Sequence, residues 1–493
     1  MVAGLLARRA WRACPRRDAR RWSSTSTRQH LFTVYGNGGQ QDLIDHAAAL
    51  SSRVAATQDA LVILASRSHA RWLTDTDFMS EFLSSVTNPA EDQEIHVVAA
   101  AVDGLLPQNP FTKARQGFSI CRGTLDGLLP GLWTGDAAPT TSRGVEGDAA
   151  LFFETKCRLT SAAPASSPLT VTVPLANTVF QNNRQSTLLA SRWRRSETGR
   201  LLELAKMVSK QTQNVSYAGD GTPRPTAAVH LPFGPVTVPR VIAAGLGNIV
   251  RQIEVDGAPT PASRELEDAV QALYDRWAAR GHPLQGPLSV WAVVIPPGAV
   301  DEAGLSGLAA WQKDVASRPD MASELQATGQ ASELVVPLLQ KGARVYRVLS
   351  GGGGWGKKAG LLSLEPDTKF AMPGDEEGLD SFMRSFAGGD AESHDLDVVA
   401  PGSVIQYYVQ PLLEEKAASG GDEIFTTGAA FGTSRWFTED VASGGGVNSD
   451  WTATPGLFGG VSEMGLYISD GQAGAGGGLM QTKLSVPDTF IRV

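Results

Sequence analysis

LFTVYGNGGQQDLIDHAAALSSRV, residues 31–54, decides the fold class. Leu31–Tyr35 alternates like a strand, and Gly36-Asn37-Gly38-Gly39 makes a tight loop. Leu43, Ile44, Ala47, Leu50 and Val54 then recur at helical spacing. Ala60–Ala65 (ALVILA) follows as a short, continuous apolar run, the pattern of a strand buried on both faces. Phe78–Val86 reads as a second helix, Ile95–Val102 (IHVVAAAV) as another buried strand and Gly117–Cys121 (GFSIC) as a shorter one. Strand, helix, strand, helix, strand is an α/β opening.

The texture changes from Ala149. Ala150–Glu154, Leu169–Val173 and Val229–Val238 are rich in β-branched and aromatic residues punctuated by Pro, Gly and Asn. Arg200–Lys210 reads as a helix between them, and Val241–Val255 as two strands around a glycine turn. Ser263–Arg280 is the clearest amphipathic helix, with Leu266, Val270, Leu273, Tyr274 and Trp277 on one stripe and Ser263 as its N-cap. Leu288–Ile295 reads as a strand, and residues 301–330 as helical with an interruption at Pro319. A Gly-rich region from Ala343 carries short strands at Arg344–Ser350, Val404–Val409, Ile424–Phe431, Gly465–Ile468 and Thr482–Val486, with solvated connectors at Gly374–Asp380 and Ala442–Gly446. The expected fold class is α/β and α+β: mixed sheets with packed helices, then a strand-rich part and a Gly-rich C-terminal β region. The expected units are a leader at 1–30, an α/β domain at 31–228, an α+β part at 229–342 and the C-terminal region at 343–493.

The leader carries Arg8, Arg9, Arg12, Arg16, Arg17, Arg20, Arg21 and Arg28 against one acid, Asp18, and runs into Ser23-Ser24-Thr25-Ser26-Thr27. Arg-rich, Ser/Thr-rich and acid-poor is the pattern of a mitochondrial transit peptide. The whole chain has 43 Lys+Arg and 51 Asp+Glu, so removing a leader with 8 and 1 leaves 35 and 50, a net charge of −15. An acidic body argues against nucleic acid as the main partner. It fits a soluble protein of the mitochondrial matrix. The longest apolar runs are far shorter than a membrane span, so no integral membrane segment is expected. Beyond the leader, Cys121 and Cys157 lie 36 positions apart, outside any CxxC, and each reads as a small core residue.

The most distinctive motif is Ser350–Leu364 (SGGGGWGKKAGLLSL). Gly351-x-x-x-x-Gly356-Lys357 matches most of a phosphate-binding P-loop, in which backbone N–H groups and a lysine cradle phosphates. The match fails at Lys358, where Ser or Thr would hold Mg²⁺, and Pro366 ends the following helix early. Two readings remain: an anion-binding loop formed by Gly351, Gly352, Gly353, Gly354, Gly356, Lys357 and Lys358, or a structural glycine turn with Trp355 packed beside it. Gly36-Asn37-Gly38-Gly39 lacks the third glycine of a dinucleotide fingerprint, since Gln41 stands there, and reads as a plain turn. Thr74-Asp75-Thr76-Asp77 precedes a helix and is explained by Thr76 or Asp77 as N-cap. His69 ends a buried strand, where α/β ligand sites often lie. His30, His46, His96, His230, His282 and His394 show no metal-ligand spacing, and no GxSxG or HExxH occurs. No metal and no cofactor is expected.

Gly247-Asn248, Ile253 and Asp256-Gly257-Ala258-Pro259 ahead of a long helix resemble the C-terminal part of the FIST family, proposed sensory modules. The pattern departs from the family at Thr260. The strand ending in Ala65-Ser66-Arg67, with Ile95–Val102 and Gly117–Cys121, is similar to the N-terminal FIST layout. The resemblance covers about residues 31–340. It implies binding of a small molecule, an amino acid among the candidates, with no catalytic residue to carry over. The residues alone account for the segment structurally, with Asp256-Gly257 as a tight turn and Gly247-Asn248 closing a hairpin. The expected function is therefore small-ligand binding or sensing, not defined catalysis. Its ligand would be a small polar or anionic molecule, with Lys357, Lys358 and Asn248 as contacts. The alternatives are an enzyme acting on a phosphorylated or anionic substrate at the 351–358 loop, with Asp367, Asp375, Asp395 or Asp397 converging beside Lys357, and a scaffold or assembly factor with a protein partner.

Overall fold

The computed structural model describes residues 29–51, 58–87, 93–134, 149–159, 168–196, 201–218, 226–281, 288–351, 360–366, 370, 399–410, 425, 427–433, 451–473 and 479–493. Residues 1–28 of the leader and the two solvated connectors lie outside them, whereas Gln29 is buried and donates to the Ser216 carbonyl and His30 opens the first strand. Within them the fold is mixed α/β, with several mixed sheets and a small barrel.

β1 (His30–Tyr35), β2 (Ala60–Ser66), β3 (Ile95–Val102) and β4 (Gly117–Gly123) belong to a seven-stranded sheet. Its order is Leu202–Ser209, Leu188–Arg195, β3, β2, β4, β1, Thr452–Pro455. β2 and β3 are parallel, and β4 runs antiparallel to both β2 and β1, so β1, β2 and β3 end at one edge. The helices α1 (Gln40–Ser51) and α2 (Thr76–Val86) cover one face. Leu43, Ile44, Phe78 and Phe82 pack there against Val34, Leu61, Ile63 and Val97. The opposite face sends Tyr35, Val62, Leu64 and Val98 into a second core with Leu151, Phe153, Val171 and Phe431. Alternate residues of ALVILA thus enter different cores, which is why the run contains no polar position.

Strands from the C-terminal third complete sheets begun much earlier in the chain. Thr452–Pro455 pairs with β1, Leu466–Ala473 with Leu169–Pro174, and Phe490–Arg492 with Ala228–His230. Gly428–Thr433 and Leu457–Ser462 run parallel at a close approach: an ideal Cβ on Gly459, at φ +155°, would fall 1.7 Å from the Ala430 carbonyl oxygen. Only glycine fits there.

Six antiparallel strands close the barrel: Val404–Val409, Arg240–Leu246, Ile249–Val255, Leu362–Leu364, Arg344–Gly351 and Val290–Ile295, which returns to Val404–Val409. Ile242, Val250, Ala292, Val294, Ile405 and Tyr407 share one core with Ala262 and Leu266 of the helix Ala262–Ala279. Trp291, Val293 and Ile295 alternate into the other core, with Trp311 and Val335 of the helices Glu302–Ser317 and Ala331–Gln340. This period-two alternation is the mark of a small barrel filled by its own side chains.

Four local expectations are corrected. Arg200–Lys210 is a strand, Leu202–Ser209, because Leu202 is buried and Leu204 half-buried on the α2 side and the backbone pairs with Leu188–Arg195. Pairing there overrides good helix-formers. The helix expected to start at Ser263 starts at Ala262 with Pro261 in the cap position, and Ser263 donates its N–H to the Gly360 carbonyl. The cap of α2 is Asp75, which accepts from the N–H groups of Asp77 and Phe78, rather than Thr76 or Asp77. The strand expected at Ile424–Phe431 forms at Gly428–Thr433. Cys121 and Cys157 are buried in the core, as the sequence implied.

Candidate functional site

β1, β2 and β3 deliver three chain segments to the carboxyl edge of the first sheet, the edge at which α/β sheets usually bind ligands. After β2 the chain makes a 3₁₀ turn, Arg67–His69, which folds His69 back into the structure. Its ring is buried among Trp72 at 4.7 Å, Phe118 at 5.4 Å and Trp451 at 5.6 Å between centroids. Trp451 arrives just before the Thr452–Pro455 strand and donates its Nε1–H to the Gly39 carbonyl at 3.2 Å. Gly36 makes room for it, since an ideal Cβ there would lie 2.8 Å from the indole.

The His69 Nδ1 lies 2.9 Å from the Ser66 hydroxyl and 3.1 Å from the exposed Ser68 hydroxyl. Ser66 Oγ also accepts the Gly117 N–H at 3.0 Å and lies 3.3 Å from Ser68 Oγ, so Nδ1 is engaged by two hydroxyls and only Nε2 is left over. Nε2 is buried with no hydrogen-bond partner among the described residues. Burial lowers the imidazole pKa to about 4, so His69 is neutral at physiological pH.

A charged cluster stands beside it. Asp103, the first residue after β3, is 4% exposed in its side chain. It accepts the Glu463 N–H at 2.8 Å and lies 3.6 Å from the Arg67 guanidinium. Arg67 also pairs with Glu463 at 2.8 Å and is 29% exposed. Burial pushes the Asp103 carboxyl up to about 6; the neighbouring Glu463 carboxylate adds to the rise, while the Glu463 N–H and Arg67 oppose it. The edge therefore offers a partly exposed guanidinium paired with two carboxylates, a buried carboxyl of raised pKa, an exposed hydroxyl and an aromatic wall. Among the described residues no three His, Cys, Asp or Glu side chains come together as metal ligands.

The glycine-loop residues fall differently. Gly351 ends the Arg344–Gly351 strand opposite Leu362. Gly352, Gly353, Gly354, Gly356, Lys357 and Lys358 lie outside the described residues, as do Asp367, Asp375, Asp395 and Asp397. Asn248 sits at the tight turn between two barrel strands and spends its carboxamide on the Leu364 carbonyl at 2.7 Å and on Ser363 Oγ at 3.3 Å. Gly36-Asn37-Gly38-Gly39 is the turn from β1 into α1. The sequence reading singled out His69 but missed Asp103, Trp451 and Glu463. Asp103 had a local signal: it follows a buried strand just as Arg67 does. Trp451 and Glu463 had none, being nearly 400 residues away.

No family model matches the chain, and no curated protein or solved structure shows a significant match to it. No described helix is long and apolar enough to cross a membrane.

Proposed function

We propose that the protein is a small-ligand-binding module of FIST type that works in the mitochondrial matrix and binds a small polar molecule, an amino acid being the first candidate, at the edge formed by Arg67–His69, Asp103 and Trp451. The observation that carries this reading is the buried His69 Nε2, a polar atom with no partner among the described residues, at the carboxyl ends of three co-directional strands. An unpaired buried polar atom costs about 1–3 kcal/mol, and a fold keeps such a cost most readily where a ligand repays it. Arg67 would meet a carboxylate, Asp103 an ammonium group, and the aromatic wall an apolar side chain. Binding is favoured over catalysis because an imidazole with a pKa of about 4 is a poor base near neutral pH. The matrix assignment rests on the Arg-rich leader.

Equilibrium dialysis of the purified protein against a mixture of the proteinogenic amino acids, with native mass spectrometry of the retained species, tests the site. The wild type should retain one component that His69→Phe and Arg67→Met both lose while staying folded. Equal retention by all three proteins, or none by the wild type, defeats the proposal. The compartment is tested separately: chain recovered from mitochondria should start near residue 30, and a full-length cytosolic chain would contradict it.

A further inference from the structure

Between the strands Leu169–Pro174 and Leu188–Arg195 the chain makes a small hairpin, in which Asn177–Thr178 pairs with Arg184–Ser186 around the one-turn helix Val179–Asn182. It stands at the carboxyl edge of the seven-stranded sheet. The Ala176 N–H bonds the Ala101 carbonyl near the end of β3, the Asn182 carboxamide donates to the Ala70 carbonyl at 3.2 Å, and Arg71 Nε donates to the Gln181 carbonyl at 3.1 Å. Inside the hairpin the buried Thr178 hydroxyl donates to the Arg184 carbonyl at 2.9 Å, and Asn183 adopts a φ of 59° to close the turn. This frame holds two apolar side chains in water: Phe180 is 94% exposed and Val179 40%. A phenylalanine so placed leaves roughly 150–250 Å² of surface unused by its own fold.

The charges around the tip select its occupant. Residues 155–196 contain no Asp or Glu, on a chain whose net charge is −8. Arg71 and Arg184 are exposed; one contacts the Gln181 carbonyl, the other the Ser209 hydroxyl at 2.7 Å, and neither forms an ion pair among the described residues. Asp103 and Glu463 at the same edge are paired with Arg67, and Asp75 is engaged as the cap of α2. An apolar tip flanked by free cations is what an anionic lipid surface accepts, the ring entering the acyl boundary and the guanidinium groups staying among the headgroups. A protein partner would need about 1,000 Å² of matched contact, whereas the hairpin around Phe180 and Val179 is Asn177, Gln181, Asn182, Asn183, Arg184 and Gln185. We propose that the Asn177–Ser186 hairpin docks the protein reversibly on an anionic membrane surface through Phe180, Arg71 and Arg184. One apolar tip and two cations give a transient contact rather than an anchor. The proposal is independent of the His69 site.

The test is co-sedimentation of the full chain with vesicles of phosphatidylcholine, with and without phosphatidylglycerol. Because the Arg-rich leader would itself bind anionic lipid, all measurements use a full-length background in which the leader arginines are replaced by glutamine. That protein should sediment with the anionic vesicles, less with phosphatidylcholine alone, and less as salt is added. Phe180→Ser should weaken binding about fivefold or more. Its urea unfolding should not change, since the ring is 94% exposed. Arg71→Gln with Arg184→Gln should weaken binding about tenfold or more, at roughly fivefold for each cation near the surface. The Phe180→Ser comparison decides the matter even if the arginine variant disturbs the hairpin. Equal sedimentation of Phe180→Ser and its parent would overturn the proposal. So would absence of binding to the anionic vesicles, which would leave the tip to a protein partner, or tighter binding to a single-stranded oligonucleotide than to the vesicles.

Discussion

Replacing Asp103 by Asn should make the protein more stable, and by an amount that depends on pH. The carboxyl is 4% exposed, and its folded pKa of about 6 lies above the ordinary value of 3.8. A raised acid pKa means that the native state binds the proton more tightly than the unfolded chain does. Stability from this group therefore rises as pH falls through 6 and is complete below 3.8. About two pH units at about 1.4 kcal/mol each make the ionised form roughly 3 kcal/mol worse in the native state at neutral pH. Asn resembles the neutral acid and retains an oxygen for the Glu463 N–H, while Arg67 keeps Glu463 at 2.8 Å. Asp103→Asn should then gain up to about 3 kcal/mol at pH 7.5, and about half of that at pH 5. The comparison must be between variants because His69 has the opposite sign. Its folded pKa of about 4 lies below 6.5, so its contribution is present above 6.5 and is lost as pH falls toward 4. The two slopes overlap in the wild type, and subtraction of the variant isolates Asp103. Urea unfolding monitored by tryptophan fluorescence at both pH values gives the difference. A variant less stable than wild type at pH 7.5, or a gain that does not shrink by pH 5, would refute the reasoning and make the Asp103–Arg67 pair a net stabiliser.

Two further substitutions probe the frame around the site. Glu324 is buried and accepts from Arg276 at 3.1 Å, Arg280 at 2.7 Å and the Trp277 Nε1–H, tying the helix Ala262–Ala279 to Met321–Thr328. Glu324→Ala strands two guanidinium groups and should cost about 3–5 kcal/mol in urea unfolding; a loss below about 1 kcal/mol would show that the cluster is solvated. Gly459→Ala places a methyl group against the Ala430 carbonyl and should abolish soluble expression or cost more than about 3 kcal/mol, whereas a near-neutral result would mean that the two parallel strands sit farther apart.

The first sheet was legible because its strands are short, doubly buried and separated by amphipathic helices. Ile95–Val102 matches its predicted span, and β2 runs one residue past the predicted Ala65. Arg200–Lys210 misled because Leu, Glu, Ala, Lys and Met favour helix locally, while the Leu202/Leu204 alternation that marks a strand spans only three residues. The barrel was illegible as a closed object. Each of its hairpins has a turn signature, but closure between Val290–Ile295 and Val404–Val409 joins segments more than a hundred residues apart, which no local pattern records. The site was half legible for the same reason: strand ends announce His69 and Arg67, but nothing in the sequence says that Trp451 and Glu463 return to meet them.

That return is itself the strongest physical constraint on function. Trp451 reaches His69 because Thr452–Pro455 pairs with β1, and Glu463 reaches Arg67 and Asp103 because the Asp103 N–H bonds the Val461 carbonyl while the Val461 N–H bonds that of Gly104. Both closures span hundreds of residues, so their entropy cost is met only when the surrounding cores form together. The aromatic wall and the charged cluster therefore arise as one event with the sheet that carries them. A molecule held between Arg67 and Trp451 would draw on exactly those long-range contacts and stabilise the whole structure in proportion to its affinity.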